Sequence, residues 1–218
     1  MIYGAVSTKK TETFVTNSSN EFATTAAKEQ LLEKARAVAF EIDVELEVAL
    51  DTARTLADVL SGIKDQSVNL NIDRDKINAV LRSALIKNEM FMAIYSCWEP
   101  NALDELDDLY METEGHDQTG RYIPYWHRNE DGEINLIPLK DYENTQKYDN
   151  GVRKGEYYIL PREQEKECAI DPYHMEDKNV WITSLVAPIM ADDTFYGVAG
   201  VDMRLDFIQS LVERTNQE

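Results

Sequence analysis

Residues 180–203 constrain this chain more than any other stretch. Val180-Trp-Ile-Thr-Ser-Leu-Val-Ala-Pro-Ile-Met190 and Phe195-Tyr-Gly-Val-Ala-Gly-Val-Asp-Met203 are apolar, β-branched and aromatic runs on either side of the short acidic break Ala191-Asp-Asp-Thr194. That is the sequence form of a β-hairpin. Pro188 falls near the end of the first run, where a missing ladder donor is tolerable. Gly197 and Gly200 thin the second strand, as happens at a bulge or where something approaches the backbone closely. Asp202 is a lone carboxylate at the end of an otherwise apolar strand. Burying it is costly unless donors or a cation satisfy it.

Composition narrows the functions such a hairpin can serve. With 218 residues, 43% hydrophobic, the chain suits one sizeable folded domain, or a domain plus an extended element. The 41 acidic against 22 basic residues argue against nucleic acid and against anionic lipid headgroups. No apolar run approaches the ~20 residues that span a bilayer, and no signal peptide is visible. Any membrane attachment therefore belongs to segments outside this chain. Cys97 and Cys168 show no metal-type spacing; they read as two small buried hydrophobes, with a disulfide as the alternative that sequence does not decide. His116, His127 and His174 show no metal spacing either, and no nucleophile elbow, phosphate loop or dinucleotide fingerprint occurs. The expectation is a non-enzyme without cofactor or metal.

Taken in order, residues 1–20 are polar, rich in Thr and Ser, and weakly periodic. Over 21–63 apolar residues recur every three or four positions (Leu31, Ala35, Val38, Ile42, Leu46, Ala49, Ala53, Leu56, Leu60), and Ser61-Gly62 supplies a stop. At ~1.5 Å per residue this helix is a rod of roughly 60 Å, far beyond a usual globular helix. Its narrow seam, close to a 3.5 repeat, suits pairing with a second copy in a homodimer. Residues 64–211 hold the remaining elements. They are a helix over Arg74–Lys87 capped by Asn71 or Asp73, strands at Phe91–Trp98, Gly120–Arg128 and Glu133–Pro138, and the 180–203 hairpin with a closing helix at Leu205–Arg214. The acidic 102–115 stretch reads as a solvated loop with a short helix, and 156–161 as a short helix or turn. Residues 212–218 form a tail. The sum is an α+β fold, a long N-terminal helix packed on an antiparallel sheet of about five strands.

Several segments together resemble the membrane-distal module of a double Cache (PAS-like) sensor domain, the extracytoplasmic part of bacterial chemoreceptors and sensor histidine kinases. They are Gly120–Trp126 with its Pro-Tyr-Trp, Glu156-Tyr157-Tyr158 with Pro161, Asp171-Pro172-Tyr173, and Thr183–Ile189 running into Gly197–Asp202. The resemblance covers about Glu21 to Leu211. It implies a periplasmic ligand-binding domain of an inner-membrane receptor, either part of a two-module ectodomain or a one-module variant. In the family's amino-acid-binding branch an Arg holds the ligand carboxylate, a Trp-Tyr pair follows, and an Asp ending the last strand holds the ammonium. Asp202 matches that Asp, and Tyr157-Tyr158 stands at the pair. Gly155 stands where the Arg would be, leaving Arg121 or Arg153 as replacements.

The residues point the same way without the family. Aromatic faces attract ammonium groups, and carboxylates give them directed acceptors. Tyr122, Trp126, Tyr157, Tyr158 and Tyr173 are expected to wall a cage in which Asp171 and Asp202 supply charge. The expected guest is a small amine or amino-acid-like molecule, with signalling through the long helix. The alternative is a dimerisation or adhesion ectodomain without a small-molecule ligand, its aromatics being ordinary core residues.

Overall fold

The computed structural model describes residues 2–175 and 179–217, with side chains over 14–175 and 179–215. Met1 of the expected polar segment and Glu218 of the expected tail lie outside the described residues. Helix α1 covers Ile2–Ser61, so it includes most of the polar, weakly periodic 1–20 stretch as well as the periodic one. The polar residues there disguise a helix that sequence periodicity could not reveal.

The chain divides into two compact units, Met1–Asp43 with Leu211–Glu218, and Val44–Ser210. In the first, the Lys34 ammonium donates to the Thr215 carbonyl at 2.8 Å, and Arg214 pairs with Glu41. Thr215 and Arg214 belong to helix α5, Asp206–Gln217.

Among the described residues the second unit has seven strands, two more than expected: β1 (Phe91–Trp98), β2 (Pro124–Arg128), β3 (Ile134–Pro138), β4 (Cys168–Ala169), β5 (Tyr173–Met175), β6 (Val180–Ala191) and β7 (Thr194–Arg204). The additional two, β4 and β5, are too short to show any alternation. Every pairing is antiparallel, in the order β3-β2-β1-β7-β6-β4, with β5 also on β6. In the β6–β7 hairpin Ala191 pairs with Thr194, and Asp192 and Asp193 both take positive φ, 49° and 58°. Two left-handed residues give the turn whose twist matches that of the strands it joins.

All eight residues of β1 are buried, because the sheet is covered on both faces. On one face Ala49, Ala53, Leu56 and Leu60 of α1 and Ile77, Leu81 and Leu85 of α2 (Arg74–Lys87) pack on Phe91, Ile94, Trp98, Val201 and Met203. Asp73 caps α2, its side chain accepting from the Lys76 amide at 2.9 Å. On the other face Tyr95, Cys97, Tyr125, Val186 and Val198 meet Tyr157 and Tyr158 of α4 (Glu156–Gln164). Cys97 and Cys168 are both buried and both free.

The acidic loop is not simply a solvated face. Arg74, 2% exposed, donates to Asp104 (2.9 and 2.7 Å), to Asp107 (2.7 Å) and to the Gly120 carbonyl (2.9 Å), and its guanidinium lies 4.1 Å from the centre of the Tyr110 ring. Tyr110 and Asp107 belong to helix α3, Asp107–Tyr110. Sequence spacing could not show that a cation one helix away would turn two of the loop's carboxylates inward. Removing one partner of such a buried pair strands the other's charge. Arg74→Ala should therefore lower unfolding free energy by roughly 3–5 kcal/mol in urea titration, whereas Val80→Ala, on the exposed side of the same helix, should change it by no more than about 0.5 kcal/mol.

Candidate functional site

On the α4 face of the sheet a cavity of about 340 Å³ opens among Tyr95, Tyr125, Tyr148, Tyr157, Tyr173 and Asp202, with Ile137–Asp141, Lys154 and Met175 completing its wall. Its size lies at the low end of the ~300–1,000 Å³ range of small-molecule sites. The strand pairing builds it. Ala93 on β1 stands beside Asp202 on β7 and His127 on β2, and Ser184 on β6 pairs with Asp202 from the other side. Because Ala93 is small, groups from strands on both sides reach the carboxylate. Ser184 Oγ donates to Asp202 Oδ1 at 2.6 Å, and the Tyr125 hydroxyl donates to Oδ2 at 2.8 Å. The Tyr173 hydroxyl lies 3.0 Å from Ser184 Oγ, backing it from β5.

The aromatic rings hold one another in place. Tyr95 meets Tyr157 edge-on with centroids 5.5 Å apart and Tyr125 at 6.0 Å, while Tyr148 stacks on Tyr173 at 5.2 Å. The Tyr157 hydroxyl donates to the Lys140 carbonyl at 2.5 Å, tying α4 to the segment that closes one side of the cavity. Burial first, then the negative charge of Asp202, raises the phenols of Tyr95, Tyr125 and Tyr173 well above the usual tyrosine range, and burial does the same for Tyr157. They are thus neutral hydroxyls with electron-rich faces at any physiological pH.

Of the residues expected from sequence, the structure brings Tyr157, Tyr173 and Asp202 to this cavity. It does not bring the other four. Tyr122 and Trp126 lie on the helix-covered face, Tyr122 donating to the Arg74 carbonyl (3.1 Å) and Trp126 to Asn78 (3.0 Å). Strand alternation makes the choice: Trp126 points away from the face that its neighbour Tyr125 occupies. Tyr158 packs on the cavity's side of the sheet, but its hydroxyl is engaged by Glu99 and Arg121. Asp171 is exposed and outside the wall. Asp202 sits within β7, with α5 starting only at Asp206.

Neither arginine named from the sequence lines the cavity. Arg121 is held by the Trp98 carbonyl, Tyr158 and Glu143, and Arg153 by Glu156 and Glu163. Among the described residues the cations in the wall are Lys140 and Lys154, with Lys154 Nζ 6.0 Å from the Tyr148 ring centre. Sequence reasoning also passed over Tyr95, Tyr125 and Tyr148. Gly200 was the available signal, since a glycine inside a strand marks a close approach; that Tyr95 is what approaches it follows from the register of β1 on β7.

Raised phenol pKa values fix the sign of the alkaline response. Folding favours the protonated phenol, so this stability is full below pH ~10, the unfolded tyrosine value, and falls as pH rises beyond it. Tyrosinate absorbance should therefore report part of the tyrosines titrating freely and the cavity tyrosines ionising only together with loss of structure. Free titration of all eleven before unfolding would contradict the burial.

The family described as methyl-accepting chemotaxis protein-like, first PDC sensor domain, matches residues 77–210, more than half of the chain. The methyl-accepting chemotaxis protein TlpQ of Pseudomonas aeruginosa is 28% identical over 166 residues, which cover 72% of this chain and 23% of that protein. Among solved structures, methyl-accepting chemotaxis protein X is 26% identical, with a TM-score of 0.67 over 84% of this chain and 64% of that one. The extracellular domain of the histidine kinase mmHK1S-Z3 is 29% identical, with a TM-score of 0.66 over 80% of this chain and 60% of that one. The chain thus spans less than a quarter of the curated relative and under two thirds of the two solved domains. It belongs to the methyl-accepting chemotaxis protein-like family of first PDC sensor domains.

Proposed function

We propose that this sensor domain recognises a small amine or amino-acid-like molecule in the tyrosine-lined cavity, as the extracytoplasmic part of a membrane receptor. The observation that carries the reading is the placement of Asp202, 3% exposed, in the wall of a cavity with five tyrosines. A guest ammonium there gains a charge-assisted hydrogen bond in a partly desolvated site and π faces on several sides. Lys140 and Lys154 in the same wall suit a carboxylate on the guest's other end, so an amino acid is as well served as a simple amine. A dicarboxylate would set a second anion near Asp202, which disfavours it.

Signalling follows as a population shift between two packings of the sheet against the long helix, biased by whichever packing the guest prefers. The long helix α1 is the element proposed to carry that shift. Its exposed Phe14, Phe22, Leu31 and Phe40 suit pairing with a second copy of the chain. No helix among the described residues is long and apolar enough to cross a membrane; attachment is assigned to segments outside this chain.

A thermal-shift screen of amines, amino acids and dicarboxylates tests the reading, since a guest at about 100 times its Kd stabilises the fold by ~2.7 kcal/mol. Amines or amino acids should raise the unfolding temperature and dicarboxylates should not. Asp202→Asn keeps the shape and an acceptor for Ser184 while removing the charge. It should weaken the best amine roughly 10- to 100-fold, the worth of a hydrogen bond to a charged group. Unchanged affinity in Asp202→Asn would remove Asp202 from the binding site, and a screen without any stabilising molecule would favour the adhesion or dimerisation reading.

A further inference from the structure

Gly200 faces Tyr95 across the β1–β7 ladder. A Cβ added to Gly200 would collide with Cζ, the hydroxyl oxygen and Cε2 of Tyr95, so the end of the phenol occupies the space a side chain would fill. Backbone conformation does not require a glycine here. Gly200 is not among the residues with positive φ, unlike Gly197 at 155°. A glycine in a central strand lowers stability and gives up packing. What it provides at this position is the slot for the Tyr95 ring.

Tyr95 is fully buried, yet it lines the cavity. Its hydroxyl lies near Ser184 Oγ, which is itself bonded to Asp202 and Tyr173. Tyr157 and Tyr125 flank the ring at 5.5 and 6.0 Å, and the sheet lies beneath it. A side chain on Gly200 can therefore displace the ring in one direction only, into the cavity.

We infer that Gly200 sets the depth of the cavity, and with it the largest guest the domain admits, by letting Tyr95 sink into the sheet as the cavity floor. The inference rests on the reading of this cavity as the guest site, and it makes Gly200 a specificity-determining position although it need not touch the guest. Size selection of this kind is worth about 10- to 200-fold for each methylene-sized difference in a tight apolar pocket.

The test uses ethylamine, butylamine and phenethylamine as probes, titrated into wild type, Gly200→Ala, Tyr95→Leu and the double variant. Gly200→Ala should lose phenethylamine by at least about tenfold and ethylamine by less than about threefold, and Tyr95→Leu in the same chain should restore phenethylamine. A merely structural glycine would weaken all three probes alike and would not be rescued by trimming a core aromatic; either result overturns the inference. If Gly200→Ala fails to fold, Tyr95→Leu alone decides, since a lowered floor should admit the bulkier 4-phenylbutylamine better than wild type does, and no gain overturns it. If wild type binds none of the amines, the amine reading itself fails. The ligand-free unfolding temperatures of the four proteins then decide: strongly non-additive effects support the Gly200–Tyr95 slot, and additive ones overturn it.

Discussion

A carboxylate buried in the middle of a sheet is the constraint around which this domain is arranged. Left without donors, Asp202 would cost the fold several kcal/mol. Two hydroxyls meet that demand from opposite sides: Ser184 from the neighbouring strand β6, and Tyr125 from β2, reaching over Ala93 on β1. The arrangement works only in the observed strand order, with β1 and β7 side by side at the centre. Satisfying Asp202 thus fixes register across four strands. The same carboxylate gives the cavity a negative end.

The two faces of the sheet divide the labour. The face under α1 and α2 is an apolar core of aliphatic and aromatic side chains, with Arg74 and its two carboxylates locking the loop that leads into β2. The other face carries tyrosines, whose rings support one another, while the hydroxyls of Tyr157, Tyr125 and Tyr173 meet the Lys140 carbonyl, Asp202 and Ser184. A rigid scaffold on one side allows an imperfectly filled site on the other. Large aromatic residues line such a cavity at little entropic cost, because few rotatable bonds are frozen when they pack.

Much of this was legible in the sequence, and the rest was hidden for physical reasons. The hairpin of β6 and β7, the α+β class and the place of Asp202 in an apolar strand follow from local patterning, which short-range sterics enforce. Strands β4 and β5 were not readable, being two and three residues long and stabilised by tertiary pairing alone. The choice of face was the harder matter. Tyr122 and Trp126 were expected in the cavity and instead pack under α2, because alternation along β2 says which residues share a face but not which face is the concave one. The register of Ala93 with both Asp202 and His127 decides that, and register is a property of the assembled sheet. Asp104 and Asp107 were misread for a related reason: their partner Arg74 lies far along the chain, and nothing local distinguishes an inward-facing carboxylate from a solvated one.

The central claim is that a guest ammonium meets Asp202 inside a ring of tyrosines. A crystal structure of the domain grown with the amine that stabilises it most would test this most directly. The expected result is the guest's nitrogen within hydrogen-bonding distance of the Asp202 carboxylate, with the rings of Tyr95, Tyr157 and Tyr173 around its carbon skeleton. Density for the guest elsewhere on the molecule, with the cavity filled by the protein's own side chains, would contradict the claim.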